Sequence, residues 1–149
     1  QINLRKGVRQ LFDVVKLLAD ERVEFWFVGP AQVDLPAPVR WFGVVPRVEV
    51  DKYYRDADVF VLPTLSDGFG LTQLEAQSWR LPVIASRHCG EVVCDGVNGV
   101  VLNEVSGEAI ANVLLEYLRT PELLSTMSTN SGVGDRFSLR TLAASLRDL

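Results

Sequence analysis

Two carboxylates with seven residues between them, Asp67 and Glu75, flank a glycine-rich turn that leads into a predicted helix. Gly68 and Gly70 leave the first backbone N–H groups of that helix unobstructed by side chains. Free N–H donors at a helix N-terminus attract anions, and they suit phosphate without requiring a metal. The spacing therefore predicts an anion site with one carboxylate on either side.

The two carboxylates would repel a phosphate, so they must serve neutral groups of the same ligand. Sugar hydroxyls fit because a carboxylate accepts short, charge-assisted hydrogen bonds from them. Glu75 is five positions beyond Gly70, which places it about 7.5 Å further along the helix axis. One carboxylate would then lie on each side of a bound anion. A ligand with hydroxyls on both sides of a diphosphate is a nucleotide sugar. The structural alternative is that Asp67 only caps the helix and Glu75 is solvated.

Short apolar runs alternate with amphipathic stretches, which is typical of a parallel sheet covered by helices on both faces. The predicted strands are 24–29, 39–43, 58–63, 82–86 and 99–102, and the predicted helices are 7–19, 48–54, 71–79 and 106–118, with two more beginning near 120 and 138. The pattern predicts an α/β fold with a doubly wound, Rossmann-like parallel sheet and a helical C-terminal tail. Ligands of such sheets bind at the carboxyl ends of the strands, where the loops 64–71 and 86–91 and the turn at Gly29 fall.

The composition excludes several classes of protein. The chain has 149 residues, 48% of them hydrophobic, which is enough to form a core. No apolar run approaches the ~18–20 residues that cross a bilayer. The net charge of −4 argues against a broad basic surface, so no nucleic-acid partner is expected. Cys89 and Cys94 lack zinc-site spacing and are predicted to be free thiols, which favours the cytoplasm.

Segments 58–76 and 81–86 resemble the C-terminal half of the retaining glycosyltransferases of family 4. In that half, two acidic residues with seven between them form the family motif. Segment 95–99 resembles the family's glycine turn, and segment 5–7 resembles its Lys-Gly step at the start of a helix. These enzymes have two domains and the GT-B fold. The resemblance implies that residues 1–149 are a single donor-binding domain cut from a longer protein, without the N-terminal acceptor domain.

The resemblance implies a role for each matching residue. Glu75 would accept hydrogen bonds from the ribose, and Asp67 would hold hydroxyls of the transferred sugar. Lys6 would contact the diphosphate and stabilise its charge as the glycosidic bond breaks, which makes Lys6 and Asp67 the expected catalytic residues. The donor-binding residues would be Gly68, Phe69, Gly70, Leu71, Thr72 and Glu75.

Five further positions are candidate contacts. Val44 and Val45 would line the pocket for the base. Arg5 would supply a second cation unless its side chain is solvated. His88 would contact the sugar or the acceptor, or it is an ordinary loop histidine. Glu91 would lie in a turn near the sugar, or it caps a helix at 91–94.

The resemblance predicts a retaining hexosyltransferase that uses a nucleoside-diphosphate sugar, such as a UDP- or GDP-sugar. The acceptor would be a glycan, a lipid-linked glycan or a small molecule, bound by the missing N-terminal domain. No cofactor and no essential metal are expected, and this chain alone should bind donor but transfer little. The location would be cytoplasmic, and the full-length protein could lie at the inner membrane surface.

Three departures from the family pattern leave alternatives open. Asp67 replaces the usual Glu with a shorter side chain, and Gln1 stands where the family has an arginine. These two differences are compatible with a non-catalytic module that binds nucleotide sugars or serves as a scaffold. A sugar-nucleotide epimerase of the same fold is a further alternative. Arg80 replaces a glycine and is expected to adopt a left-handed backbone conformation.

Overall fold

The computed structural model describes residues 1–138 and residue 141, and all five predicted strands form in it. They are β1 Trp26–Phe27, β2 Arg40–Trp41, β3 Phe60–Leu62, β4 Val83–Ser86 and β5 Gly99–Leu102. Every strand pairing is parallel, which confirms the predicted α/β class. The five strands are divided between two ladders, β1–β2 and β3–β4–β5.

The helices are α1 Val8–Leu17, α2 Arg47–Asp56, α3 Thr72–Ser78, α4 Gly107–Arg119 and α5 Pro121–Asn130, with 3-10 turns at Leu4–Lys6 and Asp135–Phe137. In the described part of the chain, a helix lies between β2 and β3 and between β3 and β4, whereas β1 is joined to β2, and β4 to β5, without a helix. The Ser106 hydroxyl caps α4 by accepting a hydrogen bond from the backbone N–H of Ala109 at 3.1 Å. Within residues 1–138 and 141, no helix is long and apolar enough to span a membrane.

The predicted tail helix from Ser138 falls almost wholly outside the described residues. Its first hydrogen bond is described: Ser138 Oγ accepts from the backbone N–H of Thr141 at 3.2 Å, as an N-cap does.

The core lies around β4, whose four residues are all buried. Ile84 packs with apolar side chains of α1 and α4, including Val14 and Ile110. Burying a side chain of this size stabilises a fold by about 1.5–3 kcal/mol. This core fixes the carboxyl ends of β3 and β4 relative to each other, and both ends lie at the predicted site.

Gly7 brings the start of α1 against the end of β3. Its φ of 75° is left-handed, and a Cβ here would overlap the carbonyl oxygen of Pro63. The close approach lets the carbonyl of Arg5 accept a hydrogen bond from the backbone N–H of Leu65 at 2.8 Å. Lys6, which precedes the glycine, is therefore held beside the loop that follows β3.

We predict that Gly7→Ala destabilises the protein and displaces Lys6. Gly43→Ala is the matched control, since Gly43 also has a left-handed φ of 65° but a Cβ added to it would meet no atom within 4 Å. Both changes carry the left-handed cost of roughly 1–2 kcal/mol. The overlap with Pro63 should lower the free energy of unfolding at position 7 by about 1–3 kcal/mol more. Urea unfolding followed by tryptophan fluorescence measures this difference, and equal losses in the two variants would contradict it.

Candidate functional site

The loops that follow β3 and β4 lie side by side at the carboxyl edge of the three-stranded ladder. The Thr64 hydroxyl donates to the carbonyl of Arg5 at 3.0 Å, and the Thr64 carbonyl accepts from Ser86 Oγ at 2.5 Å. Further along, the backbone N–H of Asp67 donates to the carbonyl of His88 at 2.9 Å. The structure thus brings the predicted residues Asp67 and His88 together at one edge of the sheet.

Lys6 and Asp67 form an ion pair between Lys6 Nζ and Asp67 Oδ2. The two side chains are only 25% and 15% exposed. The other oxygen of Asp67 accepts from the backbone N–H of Gly68 at 2.9 Å. The hydrogen bond from Lys6 lowers the pKa of the Asp67 carboxyl, against the opposing effect of burial, and the nearby charge of Arg5 lowers it further. Asp67 is therefore ionised at neutral pH.

This ion pair was not predicted from the sequence. The resemblance assigns Lys6 to the diphosphate and Asp67 to the sugar, with no contact between them. In the structure the cation and the carboxylate neutralise each other at the place where the ligand is expected.

The turn before α3 presents backbone donors beside this pair. Gly70 adopts a left-handed φ of 71°, and a Cβ there would lie 3.0 Å from Leu62 Cδ2. Within residues 1–138 and 141, the backbone N–H groups of Gly70, Leu71 and Thr72 have no hydrogen-bond acceptor. Leu71 is 66% exposed, so the mouth of the helix is open to solvent. Binding of an anion by these amides stays a prediction.

Glu75 lies on the first turn of α3 and is exposed. Its Oε2 accepts a hydrogen bond from the hydroxyl of Tyr54 at 2.9 Å. Burial, together with this bond, raises the pKa of Tyr54, so the phenol stays a neutral donor. Sequence reasoning missed Tyr54, because an aromatic residue at helical spacing ordinarily indicates core packing, and its ring does pack on Phe60.

Val44 and Val45, the candidates for the base pocket, lie at the carboxyl end of β2 in the β1–β2 ladder. Val44 is 76% exposed and Val45 is partly buried. They follow Gly43, whose carbonyl accepts from the backbone N–H of Gly29 at 2.7 Å. An exposed valine beside a strand end is compatible with a base pocket, and that role stays a prediction.

The remaining candidates are Arg5, His88 and Glu91. Arg5 is exposed, and its charge acts on the Asp67 carboxyl. His88 and Glu91 are exposed in the loop after β4. Residues 91–94 are not helical, so the alternative in which Glu91 caps a helix there is wrong. That segment is held instead by turn hydrogen bonds such as Val92 N to Gly90 O at 2.8 Å.

Arg80 has a structural role at the end of α3. Its φ of 62° confirms the left-handed conformation predicted where the family has glycine. Its guanidinium donates to the carbonyls of Thr129 and Ser131 at 3.0 and 3.1 Å. These bonds tie the end of α3 to the end of α5 and offset the cost of the conformation.

Metal ligands are not clustered in the described part of the chain. No group of three or more His, Cys, Asp or Glu side chains there could hold a metal ion. Cys89 and Cys94 are free, as predicted. Burial raises the pKa of the Cys89 thiol.

The chain is similar to a known family of proteins. The profile of the family described as Glycosyl transferases group 1 matches residues 2–120. A D-inositol 3-phosphate glycosyltransferase of Thermobifida fusca is 36% identical over 110 residues, which are 69% of this chain and 25% of the relative.

Two solved structures share the fold. HepE of Anabaena, crystallised with UDP, aligns over 100% of this chain and 47% of its own, with a TM-score of 0.83 and 22% identity. The C-terminal domain of the group 1 glycosyl transferase LpcC from Francisella tularensis aligns over 87% of this chain and 77% of its own, with a TM-score of 0.68 and 20% identity.

The chain spans about a quarter of the length of the Thermobifida relative and about half of HepE. The profile match covers most of the chain, and the second structure is itself a C-terminal domain. The chain therefore belongs to the glycosyl transferases group 1 family and has the fold of a GT-B C-terminal domain.

Proposed function

We propose that this chain is the donor-binding domain of a glycosyltransferase that moves a sugar from a nucleoside-diphosphate sugar to an acceptor hydroxyl. The observation that carries the proposal is the placement of the Lys6 cation, the Asp67 carboxylate and the open amides of residues 70–72 at one edge of the sheet. In this proposal the acceptor would be bound by a second domain of a longer protein. The family membership and the UDP bound by HepE support the proposal.

In this proposal the donor replaces one ion pair with two interactions. The diphosphate carries more negative charge than a carboxylate, so it can take Lys6 from Asp67. Asp67 then becomes available to accept hydrogen bonds from hydroxyls of the transferred sugar. Glu75, oriented by the hydroxyl of Tyr54, accepts bonds from the ribose. Val44 and Val45 line the side of the base.

Catalysis would come mainly from electrostatic stabilisation of the leaving group. Negative charge grows on the diphosphate as the glycosidic bond breaks, and Lys6 and the amides are fixed where it develops. We propose a retaining, hexosyl-transferring reaction by the resemblance of the Asp67–Glu75 segment to family 4. The counter-charge that Lys6 and the amides provide would let the donor bind without an essential metal.

The ion pair also supports a second candidate, a non-catalytic module that binds nucleotide sugars. Asp67 is one methylene shorter than the family's usual Glu and is already engaged by Lys6. A module of this kind would bind a donor without cleaving it. Incubation of the full-length protein with donor and analysis of released nucleotide separates the two, because only an enzyme releases nucleoside diphosphate. Product analysis would also detect an epimerase.

We predict that calorimetric titration detects binding of at least one of the UDP-, GDP- and ADP-sugars. Because Lys6 and the amides supply the positive charge, the affinity in EDTA should equal that in Mg²⁺ within about twofold. A folded protein that binds none of the three would contradict the proposed function. A strict requirement for Mg²⁺ would contradict only the metal-independent site.

Lys6→Ala should weaken binding of the nucleoside diphosphate about tenfold or more and leave the nucleoside unchanged, since a charge-assisted hydrogen bond contributes about 1.5–3 kcal/mol. Glu75→Gln should weaken both ligands, because the ribose is common to them. Lys16→Ala is the matched control, as it removes an exposed cation from the far end of α1. Calorimetric titrations of UDP against uridine, GDP against guanosine and ADP against adenosine measure these affinities. Equal affinities in wild type and both site variants would refute the assigned roles.

Asp67→Asn should strengthen binding of the nucleoside diphosphate and reduce the further affinity that the sugar adds to it. The neutral amide no longer competes for Lys6 or repels phosphate, so the nucleoside diphosphate should bind several-fold more tightly. The sugar loses its charged acceptor, so the added affinity from the sugar should fall. Asp58→Asn, an exposed carboxylate at the other end of β3, controls for the change in net charge. Parallel changes for both ligands would show that Asp67 does not hold the sugar.

A further inference from the structure

Gln73 is a buried polar side chain beneath the candidate site that the roles above do not use. It is the second residue of α3 and has no exposed surface. Its Nε2 donates to the carbonyl of Phe69 at 3.0 Å and to the carbonyl of Gly90 at 3.2 Å. One amide thus joins the loop after β3 to the loop after β4.

The two loops are also joined directly at this point. The carbonyl of Phe69 accepts a second hydrogen bond, from the backbone N–H of Gly90 at 3.0 Å. A Cβ on Gly90 would press against the ring of Phe69, so the loops are in contact. The Phe69 carbonyl is therefore fixed from two sides, by a side chain of α3 and by the neighbouring loop.

Fixing this carbonyl fixes the direction of the next N–H group. The peptide bond between Phe69 and Gly70 is trans, and in a planar trans peptide the C=O and the following N–H point in opposite directions. Because the carbonyl of Phe69 points inward to Gln73, the N–H of Gly70 points away from the core. That N–H has no acceptor within residues 1–138 and 141.

Gly70 packs closely against the side chain of Gln73. A Cβ on Gly70 would lie 3.1 Å from Gln73 Nε2, so the glycine and the glutamine are packed against each other. The other amide atom, Gln73 Oε1, is buried and has no hydrogen-bond partner among the described residues. A desolvated acceptor without a partner is unfavourable, and an apolar side chain of the same shape would avoid it. The two hydrogen bonds made by Nε2 therefore account for a polar side chain at this buried position.

We propose that Gln73 is the positioning residue of the donor site: through the Phe69 carbonyl it aims the Gly70 N–H at the diphosphate, and through Gly90 it holds the neighbouring loop in place. This inference rests on the proposed function, since it names the group that orients the anion-binding amides. Gln73 does not touch the ligand itself.

The chain contains a matched control one turn further along α3. Gln77 is also fully buried, at 1% exposure, and its Nε2 has no partner in the described part of the chain. Gln73→Met and Gln77→Met therefore make the same chemical change in the same helix. Only the first removes the hydrogen bonds that join the two loops.

The test uses the full chain and two readouts. Calorimetry with UDP and uridine, and with the GDP and ADP pairs, should show that Gln73→Met weakens the nucleoside diphosphate about tenfold and changes the nucleoside less than twofold. Hydrogen exchange without ligand should be faster in segments 67–71 and 88–91 of Gln73→Met. Gln77→Met should change neither the ratio of the two affinities nor the exchange of these segments.

Each other result counts against the inference. If Gln73→Met keeps the wild-type ratio of nucleoside diphosphate to nucleoside affinity and the wild-type hydrogen exchange, the inference is overturned and the proposed function remains intact. Equal weakening of nucleoside and nucleotide, or the same effects in Gln77→Met, would show a general role in stability. Gln73→Leu is the second variant if Gln73→Met does not fold, and failure of both to fold would assign Gln73 to the core. If the wild type binds none of the nucleotides, the proposed function and this inference fail together.

Discussion

Thr64 connects the three backbone segments on which the site depends. It is fully buried, its hydroxyl donates to Arg5, and its carbonyl accepts from Ser86. The strands β3 and β4 are parallel and adjacent, so their carboxyl ends emerge at the same edge. The hydrogen bonds of Thr64 hold these ends and the segment of Arg5 together, so that Lys6 lies beside the loop after β3.

Charge is distributed locally rather than over the whole surface. The chain has a net charge of −4, yet the proposed ligand is an anion. Without ligand, Lys6 is neutralised by Asp67, so the site presents little net charge to solvent. In the proposed function, the charge of Lys6 becomes available only to a group that can displace the carboxylate. Such a site would favour a diphosphate over weaker anions, because a single negative charge gains little by replacing another.

The sequence predicts the order of elements well and the side-chain partners poorly. Apolar runs such as 82–86 predict buried strands because burial on both faces of a parallel sheet requires them, and β4 confirms this. The left-handed Arg80 was likewise predictable from its place after a helix. The bonds of Tyr54 to Glu75 and of Lys6 to Asp67 join residues 21 and 61 positions apart. No local periodicity reports on such contacts, because they depend on how the elements pack.

Backbone orientation contributes more to the proposed anion site than helix length does. The α3 helix has only seven residues, and the turn that follows it ends at the left-handed Arg80. A short helix aligns few peptide dipoles, so most of the field at its mouth comes from the nearest N–H groups. The direction of those groups is set by the carbonyls on the other side of each peptide, and the Phe69 carbonyl is held by Gly90 and by Gln73. In the proposed site, the buried face of the turn therefore sets the direction in which the N–H groups of its exposed face point.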